Sequence, residues 1–218
     1  MGCDIHLKLE MRQIANAYET RGVFKDGEIR EELISVFPDS YARNWHPVRM
    51  TSHCCWSDRV YGMFAILADV RNHFSRKIVP IMQRGFPEDA CENTKDAYCC
   101  FVVSDEKYDT NPDYYKNSCF SWVPEREANV WVEKGYSKEI DTKPFGNSTI
   151  RRISGPDWHS PNWCTTKEME DCIKEIFWNE KEQKWTGDYI EWFALLGAMK
   201  GVESSGSFEC RAVFWFDN

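Results

Sequence analysis

Two short pairs of residues in this chain carry the chemistry of a binding or catalytic site, Asp4 with His6 and Asp157 with His159. Residues two apart on an extended strand share a face at a separation of about 7 Å, so Asp4 and His6 can both reach one ligand or ion. The second pair lies in Gly155-Pro156-Asp157-Trp158-His159-Ser160, just ahead of a helix-forming stretch. Should the four side chains converge, they form a ligand set for Mn²⁺, Fe²⁺ or Zn²⁺, and a metal-bound water would attack a phosphoester or similar bond. Without a metal, the same groups can hold the polar edge of a ligand directly. In a third reading each Asp simply orients its own His as a structural pair. All three readings stay open on sequence alone.

Arginine forks suit phosphates and carboxylates. Arg59 and Arg71 fall near Tyr61 and Asn72 on the first predicted helix, with Arg71 in line with its apolar stripe, where a guanidinium needs a partner or a ligand. Arg84 follows in Gln83-Arg84-Gly85-Phe86-Pro87-Glu88-Asp89, where Gly85 and Pro87 impose a bend. A bridge to Asp69 or Asp89 is the structural alternative. Tyr61, Trp158 and Trp163 can stack on a base, although ten Trp in one chain place most indoles in a core. Cys3 or Ser160 beside His6 or His159 is a nucleophile–base arrangement that nothing selects. GxSxG, P-loop and GxGxxG motifs do not occur, and Cys3 falls on the apolar side of its strand.

The elements that must position these groups are legible from periodicity. Residues 3–11 alternate, with Cys3, Ile5, Leu7, Leu9 and Met11 opposing Asp4, His6, Lys8 and Glu10, a half-buried strand. The last segment alternates too, with Phe208, Cys210, Ala212, Phe214 and Phe216 opposing Glu209, Arg211, Val213 and Trp215, and the two ends are expected to pair antiparallel. Three helices are predicted. The first runs from about Ser57, its N-cap, to His73 with Val60, Phe64, Leu67 and Arg71 on one stripe. The second follows Thr165-Thr166-Lys167-Glu168 and carries Met169, Cys172, Ile173, Ile176 and Phe177. The third spans about Asp188 to Lys200 on Ile190, Phe193, Leu196 and Met199, with Gly201 to end it. Shorter strands are expected at 97–103, 118–123 and 128–133, and polar loops at 105–117 and 141–163. The expected class is α+β: a single domain over residues 1–218, with a mostly antiparallel sheet that includes both chain termini, packed with about three helices.

Composition narrows the partners. The 218 residues, 42% hydrophobic and 15% aromatic, suffice for a real core. A formal charge of −8 repels phosphate backbones, so non-specific nucleic-acid binding is not expected, whereas a nucleotide held in a pocket is unaffected by net charge. No basic segment with a following apolar run and no 18-residue apolar stretch occurs, so neither a membrane partner nor secretion is expected. The ten cysteines, with no CxxC spacing among them, read as free, largely buried thiols of an intracellular protein.

Several segments together resemble the "MGCDIH" proteins of tailed phages and prophages: Met1-Gly2-Cys3-Asp4-Ile5-His6, the stretch Arg59 to Asn72, Arg84-Gly85-Phe86-Pro87-Glu88-Asp89, Asp157-Trp158-His159-Ser160 and the ending Val213 to Asn218. The family pattern Asp-x-His-Ser-x-Ser-Trp stands here as Asp157 to Trp163, with Asn162 in place of the second serine. Residues 14–56 and 90–150 carry no such resemblance. The resemblance implies a phage setting, in the cytoplasm of the infected bacterial host, but no reaction.

Residue chemistry and family motif together point to one pocket built from Asp4, His6, Arg59, Tyr61, Arg71, Asn72, Arg84, Asp157, His159, Ser160 and Trp163. The leading expectation is a phage accessory protein that binds a small nucleotide-type ligand there without a cofactor. It would act as an anti-defence sponge for a host immune signalling nucleotide, such as a cyclic nucleotide or an ADP-ribose derivative. The second is a phosphoesterase or related hydrolase using a divalent metal on Asp4, His6, Asp157 and His159. A third is an inhibitor that docks on a host protein through its acidic surface. A homo-oligomer is compatible with all three.

Overall fold

The computed structural model describes residues 3–14, 18–25, 27–35, 44–48, 55–56, 59–74, 78–187 and 189–217. In chain order its elements are β1 (Ile5–Gln13), β2 (Tyr18–Lys25), β3 (Glu28–Ser35), β4 (His46–Pro47), β5 (Cys55–Trp56), α1 (Tyr61–Ala68), α2 (Glu92–Tyr98), β6 (Cys99–Val103), α3 (Asp105–Thr110), α4 (Pro112–Lys116), β7 (Trp122–Pro124) and α5 (Glu125–Glu133). There follow β8 (Glu139–Phe145), β9 (Ser148–Ser154), β10 (His159–Thr165), α6 (Thr166–Phe177), β11 (Trp178–Asn179), β12 (Lys184–Trp185), α7 (Ile190–Glu203) and β13 (Phe208–Phe216). The class is α+β, as the periodicities predict. The chain forms two compact units: Met1–Cys3, Glu92–His159 and Phe216–Asn218 make the first, Asp4–Cys91 and Ser160–Trp215 the second.

The second unit is organised by a sheet in the order β10-β13-β1-β4, with β5 also paired to β1. Strands of both chain ends thus lie side by side. Their side chains meet as Arg12 with Glu209, Glu10 with Arg211 and His6 with Trp215, and the Ile14 N–H donates to Ser207 O at 2.9 Å. One partner index rises as the other falls, which makes the pairing antiparallel. The half-buried alternation expected for β13 is corrected: Cys210, Arg211, Ala212, Val213, Phe214 and Trp215 are all buried. A strand flanked on both edges and covered on both faces needs a continuous apolar run, and Arg211 is the one charged residue in it. β2 and β3 form an antiparallel hairpin from Tyr18↔Ser35 to Lys25↔Glu28.

α1, α6 and α7 are the three predicted helices. α6 matches in full: Thr165 and Glu168 complete a reciprocal capping box, and Met169, Cys172, Ile173 and Phe177 are buried. α1 is shorter than predicted. It stops at Ala68 because Asp69 adopts φ 58°, where its N–H donates to Ala65 O and the following Val70 N–H donates to Phe64 O, a left-handed cap that closes the last turn. Its predicted cap Ser57 lies outside the described residues, as does Asp188 ahead of α7. α7 runs through Gly201 to Glu203, so that glycine does not terminate it. Gly62 of α1 marks a close helix contact, since a Cβ there would meet Ile176 of α6 at 3.0 Å.

In the first unit a four-stranded sheet runs β7-β6-β9-β8, with β7 parallel to β6 and the other pairs antiparallel. Its core is Cys100, Val102, Val123, Ala128 and Ile153, with Trp131 and Val132 packed against it. Three expectations are overturned here. Residues 128–133 are helical within α5, where Ala128 faces the core. The polar stretch 105–117 forms α3 and α4. The stretch 141–163 forms most of the β8–β9 hairpin, turned at Gly146 with φ 58°, and the start of β10. The strand predicted at 118–123 shortens to β7, and the one predicted at 97–103 begins at Cys99, after α2. No described helix is long and apolar enough to cross a membrane.

Candidate functional site

The alternation of β1 brings Asp4 and His6 to one face, as expected, and each meets a specific neighbour. Arg59 grips both Asp4 oxygens, Nε to Oδ1 at 2.8 Å and a terminal nitrogen to Oδ2 at 3.4 Å. That hydrogen bond holds the Asp4 carboxyl below its ordinary value, with His6 adding in the same direction. Both partners are about half exposed, at 49% and 48%, so the pair adds little to stability. The His6 imidazole lies flat on Trp215, ring centres 5.7 Å apart and planes 8° apart.

Of the remaining polar residues predicted for the site, Arg84 and Asn72 hold a cap and a loop together. Arg84 pairs with Glu168, its terminal nitrogens reaching the two carboxylate oxygens at 2.5 and 3.1 Å. It also donates to Trp163 O at 3.0 Å and lies 4.5 Å above the Trp163 ring. Its anion is therefore Glu168, the residue that completes the α6 capping box, and neither Asp69 nor Asp89. Partial burial pushes the Glu168 carboxyl up, but Arg84 and the Thr165 N–H outweigh it and hold it below its ordinary value. Asn72 pairs both ways with the Ile78 backbone, donating to O at 2.7 Å and accepting from N at 3.2 Å. Arg71 lies beyond the end of α1, exposed and at φ 56°, off the buried stripe on which helical spacing puts it. Tyr61 is 38% exposed and meets Phe64 edge-on. Ser160 adopts φ 48°, a conformation uncommon outside glycine.

Asn162 is fully buried. Its amide donates to Leu67 O at 3.0 Å and Met82 O at 3.2 Å, and accepts from the Arg84 backbone N–H at 2.9 Å. A serine has one donor and too short a reach to satisfy all three. Asn162→Ser is expected to cost about 1–3 kcal/mol, because buried backbone groups lose their partners. Urea denaturation measures it, and an unchanged midpoint would show that serine restores the same links.

In the first unit, His159 stacks on Phe216 with ring centres 6.1 Å apart, and its Nε2 lies 3.9 Å from the Cys3 sulfur. Asp157 is exposed and makes no hydrogen bond among the described residues, so it does not orient His159 in the manner of a structural Asp–His pair. Trp158 leans on Tyr98 at 5.4 Å and sits so close to Gly155 that a Cβ there would meet the indole at 2.7 Å. Among the described residues no group of three or more His, Cys, Asp and Glu stands where it could hold a metal ion.

The residues between 90 and 150, which carry no recognised motif, build a cleft of about 310 Å³ in the first unit. The end of β6 supplies Val102 and Val103, with Ser104 following. Tyr114 and Tyr115 come from α4, Trp122 from β7, Phe145 from β8, and Ser148, Thr149 and Ile150 from β9. Local sequence fixes each wall. Pro112 opens α4 and the Asn111 side chain accepts the Tyr114 N–H, which sets both tyrosines on one short helix. Ser118 accepts the Trp122 indole N–H at 3.0 Å. The Gly146 turn ends β8 and leaves Phe145 at its rim. The rings interlock: Tyr115 stacks on Tyr108 at 5.6 Å and meets Trp122 edge-on at 5.3 Å, and Trp122 meets Phe145 at 5.8 Å. Tyr114 and Phe145 nevertheless stay 59% and 44% exposed. Lys107 adds an ammonium that has no ion-pair partner among the described residues.

A second depression, about 760 Å³, lies in the other unit at the end of α6 and the β11–β12 hairpin. Trp178 is the one aromatic among its described lining residues, which are otherwise mostly charged, such as Asp171, Lys174, Glu175 and Lys181. Clefts that bind small molecules pair apolar walls with a few polar groups, and the 310 Å³ cleft fits that description better. Comparison of the chain with known protein families, with curated proteins and with solved structures finds no match.

Proposed function

We propose that the protein captures a small nucleotide-type ligand by non-covalent contacts, with the aromatic cleft of the first unit receiving its base. The observation that carries this reading is that Tyr114 and Phe145 line a cleft while still about half exposed, beside the ammonium of Lys107. Aromatic faces stack on any planar base, hydroxyls of Ser104, Ser148 and Thr149 can bond a sugar, and an ammonium attracts a phosphate. The expected sites at Arg59, Asn72 and Arg84 support the reading less, because each already holds a partner within the chain. The setting we propose is that of an accessory protein of tailed phages or prophages, in the cytoplasm of the infected host, sequestering a signalling nucleotide against host defence. The opening hexapeptide and the other resembling segments support that setting.

Thermal shift tests the reading with a panel of nucleosides, mononucleotides and dinucleotides. A ligand at a hundredfold excess over its Kd contributes about 2.7 kcal/mol, a rise of roughly 5–10 °C for a chain of this length. Tyr114→Ala and Phe145→Ala should melt near the wild-type temperature when unliganded and lose that rise. No response to any nucleotide, or a rise that survives both substitutions, would defeat it. A stoichiometric divalent metal, lost in His6→Ala, would favour instead the phosphoesterase suggested by the Asp-x-His pairs.

A further inference from the structure

Charge around the cleft narrows the ligand class further. Lys107 is the one charged residue among the described lining residues. It belongs to α3, which also carries Asp105, Glu106 and Asp109. Arg126 takes up two of these carboxylates, pairing with Asp109 at 2.8 Å and Asp105 at 3.4 Å. Lys107 is thus the cation of α3 that reaches the cleft, while Arg126 is occupied by the carboxylates of that helix. A ligand bearing one negative charge finds Lys107. A second or third negative charge meets no further cation among the described lining residues. Size acts in the same sense, because about 310 Å³ is at the small end of ligand clefts. One base with its sugar and phosphate fits such a volume, whereas a dinucleotide leaves its second base in water.

From this we infer that the cleft is selective for a singly charged mononucleotide, a cyclic nucleoside monophosphate, over nucleoside polyphosphates and dinucleotides. The inference rests on the reading that the cleft receives a nucleotide base. Tyr114, Trp122 and Phe145 provide stacking without base identity, and Lys107 provides a single charge-assisted contact to the cyclic phosphate.

Isothermal titration of the full chain with the 3′,5′-cyclic monophosphates of adenosine, guanosine, cytidine and uridine, with ATP and with NAD tests it. At least one cyclic mononucleotide should bind roughly tenfold or more tightly than ATP and NAD. Lys107→Gln should weaken that binding about tenfold, the worth of one charged hydrogen bond, with the melting temperature unchanged. ATP or NAD binding as tightly as the best cyclic mononucleotide overturns the inference. So does full affinity in Lys107→Gln when Phe145→Ala has lost it, and that result leaves base capture standing. Absence of binding by all six probes, together with no thermal response to the wider panel, overturns both.

Discussion

Glu10→Ala is expected to remove about 3–5 kcal/mol of folding stability, the usual cost of stripping one partner from a buried ion pair. Glu10 is fully buried and Arg211 is 2% exposed, on adjacent central strands of the second unit. One Glu10 oxygen takes the Arg211 Nε–H at 2.7 Å and the other takes the Cys91 backbone N–H at 2.8 Å. The guanidinium also reaches Asp89 at 2.8 Å and lies 3.9 Å above the Trp45 ring. Removing the carboxylate leaves Arg211 with the largely exposed Asp89 as its ion-pair partner among the described residues, and takes the Glu10 hydrogen bond from the Cys91 N–H. Equilibrium urea denaturation reads the loss, and a loss under about 1 kcal/mol would mean that Asp89 and the indole suffice for the charge. Glu10→Met with Arg211→Met should recover much of the loss, because isosteric apolar replacement of a buried pair is often close to neutral.

The second large effect is expected at Arg152 in the first unit. Its side chain is 1% exposed and faces three carboxylates: Asp141 at 2.6 Å, Asp96 at 2.8 Å and Glu92 at 3.0 Å. Lys95 and Lys143 complete the cluster, bridging to Asp141 and Asp96. The Arg152 hydrogen bond holds the Asp141 carboxyl below its ordinary value of 3.8. Burial raises Glu92, but Arg152 and Lys143 outweigh it and leave it below 4.5. Carboxyls depressed in this way stabilise the folded state above their unfolded pKa, and that contribution is lost as pH falls through the lower folded values. Arg152→Leu should cost roughly 3 kcal/mol at neutral pH. The gap to wild type should then narrow as pH drops below about 4.5, where protonation of Glu92 and Asp141 relieves the repulsion in the cluster. A gap that stays constant down to pH 3 would show that the cluster does not act through charge.

What the sequence made legible follows from where one rule governs a segment. The α6 cap and stripe need only local spacing, from Thr165 to Phe177, and both were readable. The terminal strands were equally plain in their alternation, but the burial of the polar face of β13 depends on the neighbours of Arg211, which no local pattern encodes. α5 departs from the strand predicted at 128–133 because Val130 and Val132 favour strands, whereas the burial of Ala128 and the amphipathic spacing favour a helix. The β8–β9 hairpin was hidden by Arg151 and Arg152, whose charges read as loop until their carboxylate partners are in place. Arg71 followed the stripe of α1 only on the assumption that the helix continued past Asp69. The cleft was invisible for a different reason: Tyr114, Trp122 and Phe145 come from three elements, and no motif joins them.

The cysteines have a practical consequence. Eight lie among the residues whose side chains are described, and all of these but Cys119 are buried. Burial pushes the thiols of Cys99, Cys172 and Cys210 up to about 12 and that of Cys100 up to about 11, so they are poor nucleophiles at neutral pH. Cys119 lies between α4 and β7, the two elements that contribute Tyr114, Tyr115 and Trp122 to the cleft. In a Cys54→Ser, Cys55→Ser background, a maleimide dye would thus find a single exposed thiol among the described cysteines, on the segment that joins two elements of the cleft. Cys119 is thus an attachment point for a fluorescent reporter of occupancy.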